Sequence, residues 1–421
     1  RAVDELAGLP AGVDRDAALC RARSAGVGAL LVLDALDAAQ QWMDGVHAEH
    51  PGQRVRVACQ RAVLLRRRGR PDEAIAVLRA AERLADANGM AALAVATQVE
   101  LAELLADSGD LDGAADRLAR VLEALPAVPD PDPLDAPNTR MELARVQARA
   151  GRLGEAATEL RRARTEAVAL PEGGDMVATL DYWLGGVLRG LGLPVAAMER
   201  FEAAAAGFAA VGRPDGVASA ERDRGTVLFG LRRDAEAAAA FDAAASARRT
   251  DGDEWHALAC DVDAAQARGY AGLGDAGAEL RGLRARLPWA AAVRAAPPED
   301  AELLFETARV DHALARCALA TGDADAAAEL AEQALTGYRA AGADRAVAAL
   351  SLDAGRWRWH AGDAGSARRY LHGALRASLG LGDRVLVTRC EELLESLDGA
   401  QPAGDDPYRE PGDDITLPEQ R

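Results

Sequence analysis

The chain has 421 residues and not one lysine; isoleucine occurs only at Ile75 and Ile415, and asparagine only at Asn88 and Asn138. All three residue types have AT-rich codons, so a GC-rich genome accounts for the shortage without a functional reason. Aromatic residues make up only 4% of the chain. With the aromatic and β-branched side chains that fill strand faces so scarce, a substantial sheet is excluded. The five cysteines (Cys20, Cys59, Cys260, Cys317, Cys390) are scattered, odd in number and never spaced C-x-x-C. That excludes a disulfide framework and fits small buried helix residues in a reducing compartment. Positive charge is outweighed as well. A net charge of -18 is wrong for a surface that binds nucleic acid or an anionic membrane as a whole, although it leaves room for a local basic patch.

No apolar run reaches membrane-spanning length: the longest, Gly28 to Met43, is broken by Asp34 and Asp37. The start of the chain has no signal-peptide pattern. A soluble, cytoplasmic protein is expected. The chain begins with Arg1 and not Met, which fits a fragment whose preceding domain is missing.

Chemical motifs are absent too. There is no Walker-type loop, H-E-x-x-H pair or G-x-S-x-G elbow. His47 and His50 flank Glu49 at a spacing that could share a helix face, but two histidines without a third ligand make a poor zinc site. They read as solvated residues at a helix C-terminus before Pro51-Gly52. His256, His312, His360 and His372 are dispersed, with no serine or cysteine arranged beside them as in a triad. No catalytic residue, metal or cofactor is therefore assigned, and the chain is read as a non-enzyme.

What the sequence does contain is alanine, leucine, arginine and glutamate in a repeating frame. Ala62, Leu65, Gly69, Ala74, Leu78 and Ala81 return as Ala102, Leu105, Gly109, Ala114, Leu118 and Val121. The frame recurs through Ala144, Gly151, Ala156 and Leu160, through Gly185, Leu188, Gly192, Ala197 and Phe201, and through Gly225, Leu228, Arg232, Ala237 and Phe241. A degenerate unit around Tyr270 and Gly274 follows. The frame resumes at Ala315, Gly322, Ala327 and Ala331 and closes at Gly355, Gly362, Ala367 and Leu371. Ala74, Ala114, Ala156, Ala197 and Ala237 alone give a period of 40 to 42 residues.

That frame predicts pairs of antiparallel helices. A small residue in the first helix and alanine in the second let two backbones approach, leucine or phenylalanine one turn later fills the gap, and glycine makes the turn between them.

These residues resemble the tetratricopeptide repeat family, most closely at Leu184-Gly185, Leu188, Gly192, Ala197, Phe201 and Ala204. Trp183 stands two residues away from the family's signature tryptophan, and the period exceeds the ordinary 34 residues. The long period is similar to the repeats of kinesin light chains, of polarity scaffolds and of sensor arms in large bacterial transcriptional regulators. The resemblance implies an all-α, right-handed solenoid of about nine helical hairpins over residues 1–397. Residues 16–48 would form a degenerate first hairpin, 55–376 the repeats and 383–397 an amphipathic capping helix. The proline-rich stretches at 126–137 and 288–298 read as inter-repeat insertions. Residues 398–421, rich in Gly, Pro and acids, read as a disordered acidic tail.

The resemblance also assigns ligand contact to five positions on each first helix, which line the concave groove. Placed on eight frames, these forty positions hold eleven arginines: Arg56, Arg66, Arg67, Arg145, Arg149, Arg189, Arg222, Arg268, Arg309, Arg316 and Arg356. Only Glu103, Asp107 and Asp261 are acidic, whereas average usage would give about five arginines and about six acids. Tyr182 and Trp359 fall on the same surface. The expected partner is an acidic peptide or protein segment suited to the planar arginine fork. The chain's own tail is a second candidate, resting over Arg316 and Arg356. A protein-interaction scaffold is the leading reading, a sensory or regulatory arm of a larger bacterial signalling or transcription protein the next, and RNA or DNA binding the least favoured.

Overall fold

The computed structural model of the chain describes residues 22, 25–30, 35–46, 48–129, 131–171, 173–293 and 300–398. Through these residues one local event repeats: a helix ends on a residue in the left-handed region, and the next helix begins within about three residues. Such residues follow one another at twenty-residue intervals from Gly69 to Gly109, from Gly192 to Gly272 and from Gly322 to Gly382. Glycine holds every one of these positions but one, because a Cβ is penalised there. The amide after the turn residue reaches back five residues. Asp110 donates to Leu105 O, Asp253 to Arg248 O and Asp363 to Arg358 O, each at 2.9 Å. This is the long-range bond of a Schellman motif.

Where the residue after the turn is aspartate, its carboxylate accepts the amide three residues further on, as Asp110 does from Gly113, Asp253 from His256, Asp323 from Ala326 and Asp363 from Ser366. One aspartate thus closes a helix with its backbone and caps the next with its side chain. The sequence frame contained half of these turns. Those between hairpins, at Gly89, Gly212, Gly252, Gly342 and Gly382, have the same geometry, so the structural period is about twenty residues, half of the sequence period.

Eighteen α-helices from Leu36 onward, a further helical run at residues 25–30 and no strand result among the described residues. They fall into two compact units, Arg1–Gly192 and Leu193–Arg421. The first unit contains α1 (Leu36–Asp44), the hairpins α2 (Pro51–Arg67) with α3 (Pro71–Ala87), α4 (Ala91–Asp107) with α5 (Leu111–Ala124), and α6 (Asp135–Arg149) with α7 (Leu153–Val168), and then α8 (Gly174–Gly190). The second begins with α9 (Pro194–Ala210). Its hairpins are α10 (Pro214–Gly230) with α11 (Asp234–Thr250), α12 (Glu254–Tyr270) with α13 (Ala276–Val293), α14 (Asp300–Ala320) with α15 (Ala324–Ala340), and α16 (Asp344–His360) with α17 (Ala364–Leu381). Helix α18 (Arg384–Asp398) closes it.

The repeating alanines and the large residues after them form the core. Ala74, Ala114, Ala156, Ala237 and Ala367 are buried, and so are Leu78, Leu118, Leu160, Phe241 and Leu371. Each such large side chain contributes about 1.5–3 kcal/mol of burial. The small residue of the first helix is equally specific. A Cβ on Gly225 would lie 2.7 Å from the Phe241 ring, and one on Gly355 would lie 2.7 Å from Leu371 Cγ.

Three expectations are adjusted. The degenerate unit turns at Gly272 (φ 69°), two residues before the Gly274 of the sequence frame; Gly274 is also left-handed, and Asp275 caps α13 through the Ala278 amide at 2.8 Å. The second proline-rich stretch does not start a loop at Pro288, because α13 continues through that proline to Val293. His50 stands immediately before α2 and not at a helix C-terminus, while its partner His47 lies outside the described residues. Most of the expected first hairpin and residues 399–421 of the expected tail also lie outside them.

Arg232, at φ 62°, is the one non-glycine residue at this turn. Arg232→Gly should stabilise the fold by about 1 kcal/mol, and Gly355→Val should cost about 1–3 kcal/mol by forcing Leu371 aside. Thermal melts followed by circular dichroism will give opposite shifts for the two variants.

Candidate functional site

First helices of successive hairpins touch within each unit: α2 meets α4, α6 meets α8, α12 meets α14 and α16 meets α18. Side chains at the expected groove positions therefore meet residues of neighbouring first helices. The two units use their arginines differently.

In the second unit Arg309, Arg316 and Arg356 are buried and, with the half-buried Arg222, pair with carboxylates of the same unit. Asp263 on α12 is completely buried between Arg222 of α10, whose Nε and Nη2 lie 3.1 Å from Oδ2, and Arg309 of α14, which bonds Oδ1. Arg309 also donates to Glu306 Oε2 at 2.9 Å and to Ala259 O at 2.8 Å, and is itself only 4% exposed. Next along the face, Asp353 of α16 accepts from Arg316 of α14 and lies 3.3 Å from Arg356 Nη2 and 3.4 Å from His312 Nε2. Burial alone would raise the Asp353 carboxyl, but Arg316, His312 and Arg356 outweigh it and hold the group well below the usual carboxylate range. Burial likewise opposes the charge of Arg309, and Asp263 with Glu306 overcomes it.

In the first unit the face is wet. Arg66 of α2 bonds Glu103 of α4 at 2.7 Å, and Asp107 of α4 lies 3.8 Å from Arg66 and 3.9 Å from Arg149 of α6. Arg149 also donates to Ala106 O at 2.8 Å. Arg145 bonds Glu142 at 2.6 Å while its guanidinium carbon stands 5.4 Å from the Trp183 ring centre on α8. The Trp183 ring meets Tyr182 edge-on, with centroids 5.9 Å apart. These contacts join four first helices into one face. On these helices Arg56, Arg67, Arg145, Arg149 and Arg189 are exposed, the side chains of Arg145 and Arg149 by 44% and 49%.

The eleven arginines are therefore not equivalent. Arg222, Arg309, Arg316 and Arg356 lie on the expected face but are held by Asp263, Glu306 and Asp353, so their count overstates the charge offered to a ligand. The same burial removes the seat expected for an acidic tail over Arg316 and Arg356.

Arg268 is misplaced by register. The turn at Gly272 shifts the frame by two residues, or about 200° around the helix. Arg268 accordingly pairs with Asp242 of α11 at 2.8 Å and with Glu279 of α13. Together with Arg249, Asp261 and Arg286 these residues line an open cleft of about 440 Å³. Trp359 is also corrected. It is buried among Leu371, Leu386 and Leu393 and belongs to the core.

The acids missed by position counting had a signal. A carboxylate three residues before an arginine recurs as Glu142 and Arg145, Glu306 and Arg309, and Asp353 and Arg356, and each is an ion pair. Among the described residues no cluster of three or more His, Cys, Asp or Glu side chains could hold a metal, and no helix is long and apolar enough to cross a membrane.

No protein-family model matches the chain, and no curated protein matches it in sequence. Among solved structures, the apo form of RapI superimposes with a TM-score of 0.63 at 11% identity, covering 87% of this chain and 99% of RapI. The apo form of the quorum sensor NprR from B. thuringiensis gives 0.51 at 13% identity, covering 79% of this chain and 90% of NprR. Both are tetratricopeptide-like repeat proteins, and the fold of this chain is of that type, an all-α helical-repeat solenoid.

Asp353→Asn leaves Arg316 and Arg356 facing a neutral group and should cost about 3–5 kcal/mol at neutral pH. Because the folded-state value is depressed, the stabilisation by Asp353 is fully present above about pH 4 and drains away as the pH falls further. Urea unfolding between pH 3 and pH 7 should show a weaker acid-side loss in the variant than in the parent chain.

Proposed function

We propose that the chain is a non-catalytic protein-interaction scaffold that binds an acidic peptide or protein segment across the first-helix face of its first unit. What supports this reading is the exposure of Arg56, Arg67, Arg145, Arg149 and Arg189 on first helices of a chain whose net charge is -18. Exposed arginine and carboxylate pairs are individually weak, so affinity must come from several contacts made at once by an extended ligand. A face four helices wide supplies them. Helical-repeat arrays suit this work, since stacked first helices present a broad surface without a deep pocket.

A second reading places this face in a sensory or regulatory arm of a larger bacterial signalling or transcription-regulating protein. The fold likeness to NprR, described as a quorum sensor, favours it. The two readings share the ligand face and differ in what the binding event controls.

A fluorescent Asp- and Glu-rich peptide titrated into the full chain should bind with an affinity that falls as salt rises. Changing Arg56, Arg67 and Arg189 together to Glu should weaken it at least about tenfold while the helical spectrum is kept. Equal affinity of parent and variant at low salt would refute the proposal.

A further inference from the structure

We infer that the turn between α17 and α18 is a docking site for a segment of the chain itself, residues 413–417, with Ile415 and Leu417 packed on the apolar side chains of the turn and Asp413 and Asp414 on its arginines. The segment lies outside the described residues. The inference is independent of the acidic-segment reading, which concerns the first unit.

One bond builds the seat. Asp383 N donates to Ser378 O at 3.0 Å, which holds the last turn of α17 and the first turn of α18 together around Gly382. Three large apolar residues stand out from this short stretch: Leu379, Leu381 and Val385, exposed by 61%, 44% and 64%. Cations accompany them. Arg376 precedes Leu379 by three residues and Arg389 follows Val385 by four, so each is the helix-surface neighbour of an apolar side chain, and Arg384 opens α18 beside Val385. Among the described residues these three guanidinium groups have no side-chain partner. The carboxylate at the turn, Asp383, is already engaged by Arg345 at 3.2 Å and by the Leu386 amide at 3.2 Å. Further along α18 the exposed residues Glu391, Glu392 and Glu395 reverse the sign. Attraction for an acidic segment is thereby confined to the turn end of the helix.

The occupant has the complementary pattern. Within residues 399–421, Ile415 and Leu417 are the only isoleucine, leucine, valine or methionine residues, and Asp413 and Asp414 directly precede them. Docked in extended form, the segment presents Ile415 and Leu417 on one face. Reach is matched as well. From the end of α18 at Asp398 back to Val385 is about 20 Å of helix. Residues 399–414 connect Asp398 to Ile415, and a flexible linker of that length has an r.m.s. span of about 20–24 Å. Effective concentration is greatest when span and linker agree, on the order of millimolar. A contact with a Kd of about 100 µM between separate molecules then keeps the segment seated about nine-tenths of the time.

The test titrates a fluorescent peptide of residues 410–421 into the 421-residue chain and its variants. Ile415→Ser with Leu417→Ser empties the seat, so this variant should bind the peptide about tenfold tighter than the parent chain, whose own segment competes. Adding Leu379→Ser and Val385→Ser should remove that gain; both side chains are exposed, so the melting temperature should stay unchanged. A peptide with serine at both apolar positions should bind all these chains alike, which separates this seat from acidic binding in the first unit. Equal binding of the unmodified peptide to parent and Ile415→Ser, Leu417→Ser chains would overturn the inference, as would a gain that survives Leu379→Ser and Val385→Ser. Sedimentation showing a parent dimer that Ile415→Ser and Leu417→Ser dissociate would overturn it too, by giving the seat to a second copy of the chain.

Discussion

The left-handed turn that recurs about every twenty residues sets the length, direction and register of each helix after it. Seventeen residues of helix rise about 25 Å, and the short turn sends the chain back alongside itself. Where the turns at both ends of a hairpin are closed by the same backbone bond, as for α10 with α11 and α16 with α17, the chain doubles back the same way each time. A change of two residues in where the turn falls, as at Gly272, carries a whole set of side chains to the opposite surface. Arg268 demonstrates the effect.

Against that scaffold the same residue type has two physical fates. Arginine on a first helix stays wet where neighbouring helices leave it uncovered, as at Arg145 and Arg149, and is enclosed where they cover it, as at Arg309 and Arg356. Enclosure demands a carboxylate, because a guanidinium without one is too costly to desolvate. Asp263 and Asp353 meet that demand by each serving arginines from two helices. Such a network contributes little net stability compared with apolar packing, but it fixes which first helices can be neighbours. In the second unit the charges are enclosed between first helices; in the first unit they stay exposed to solvent.

Glycine shows the same dependence on surroundings. At Gly69 or Gly362 it permits a backbone angle, and at Gly225 and Gly355 it permits a large neighbour. The two roles cannot be told apart from composition. They separate only when the atoms around the missing Cβ are known.

By itself the sequence determined that the chain is helical, that its helices pair, and which alanines and large apolar residues face inward. Those features depend on local periodicity and on residue size, which are written directly in the order of residues. It also marked about half of the turns, because a left-handed backbone selects glycine. Only the tertiary structure decided which arginines are exposed and which are enclosed. Exposure depends on helices some forty residues away, on carboxylates such as Asp263 that approach from another hairpin, and on the two-residue register at Gly272. None of these is visible in a count of arginines along one helix face, since a charge acquires its partner from packing and not from its place in the repeat.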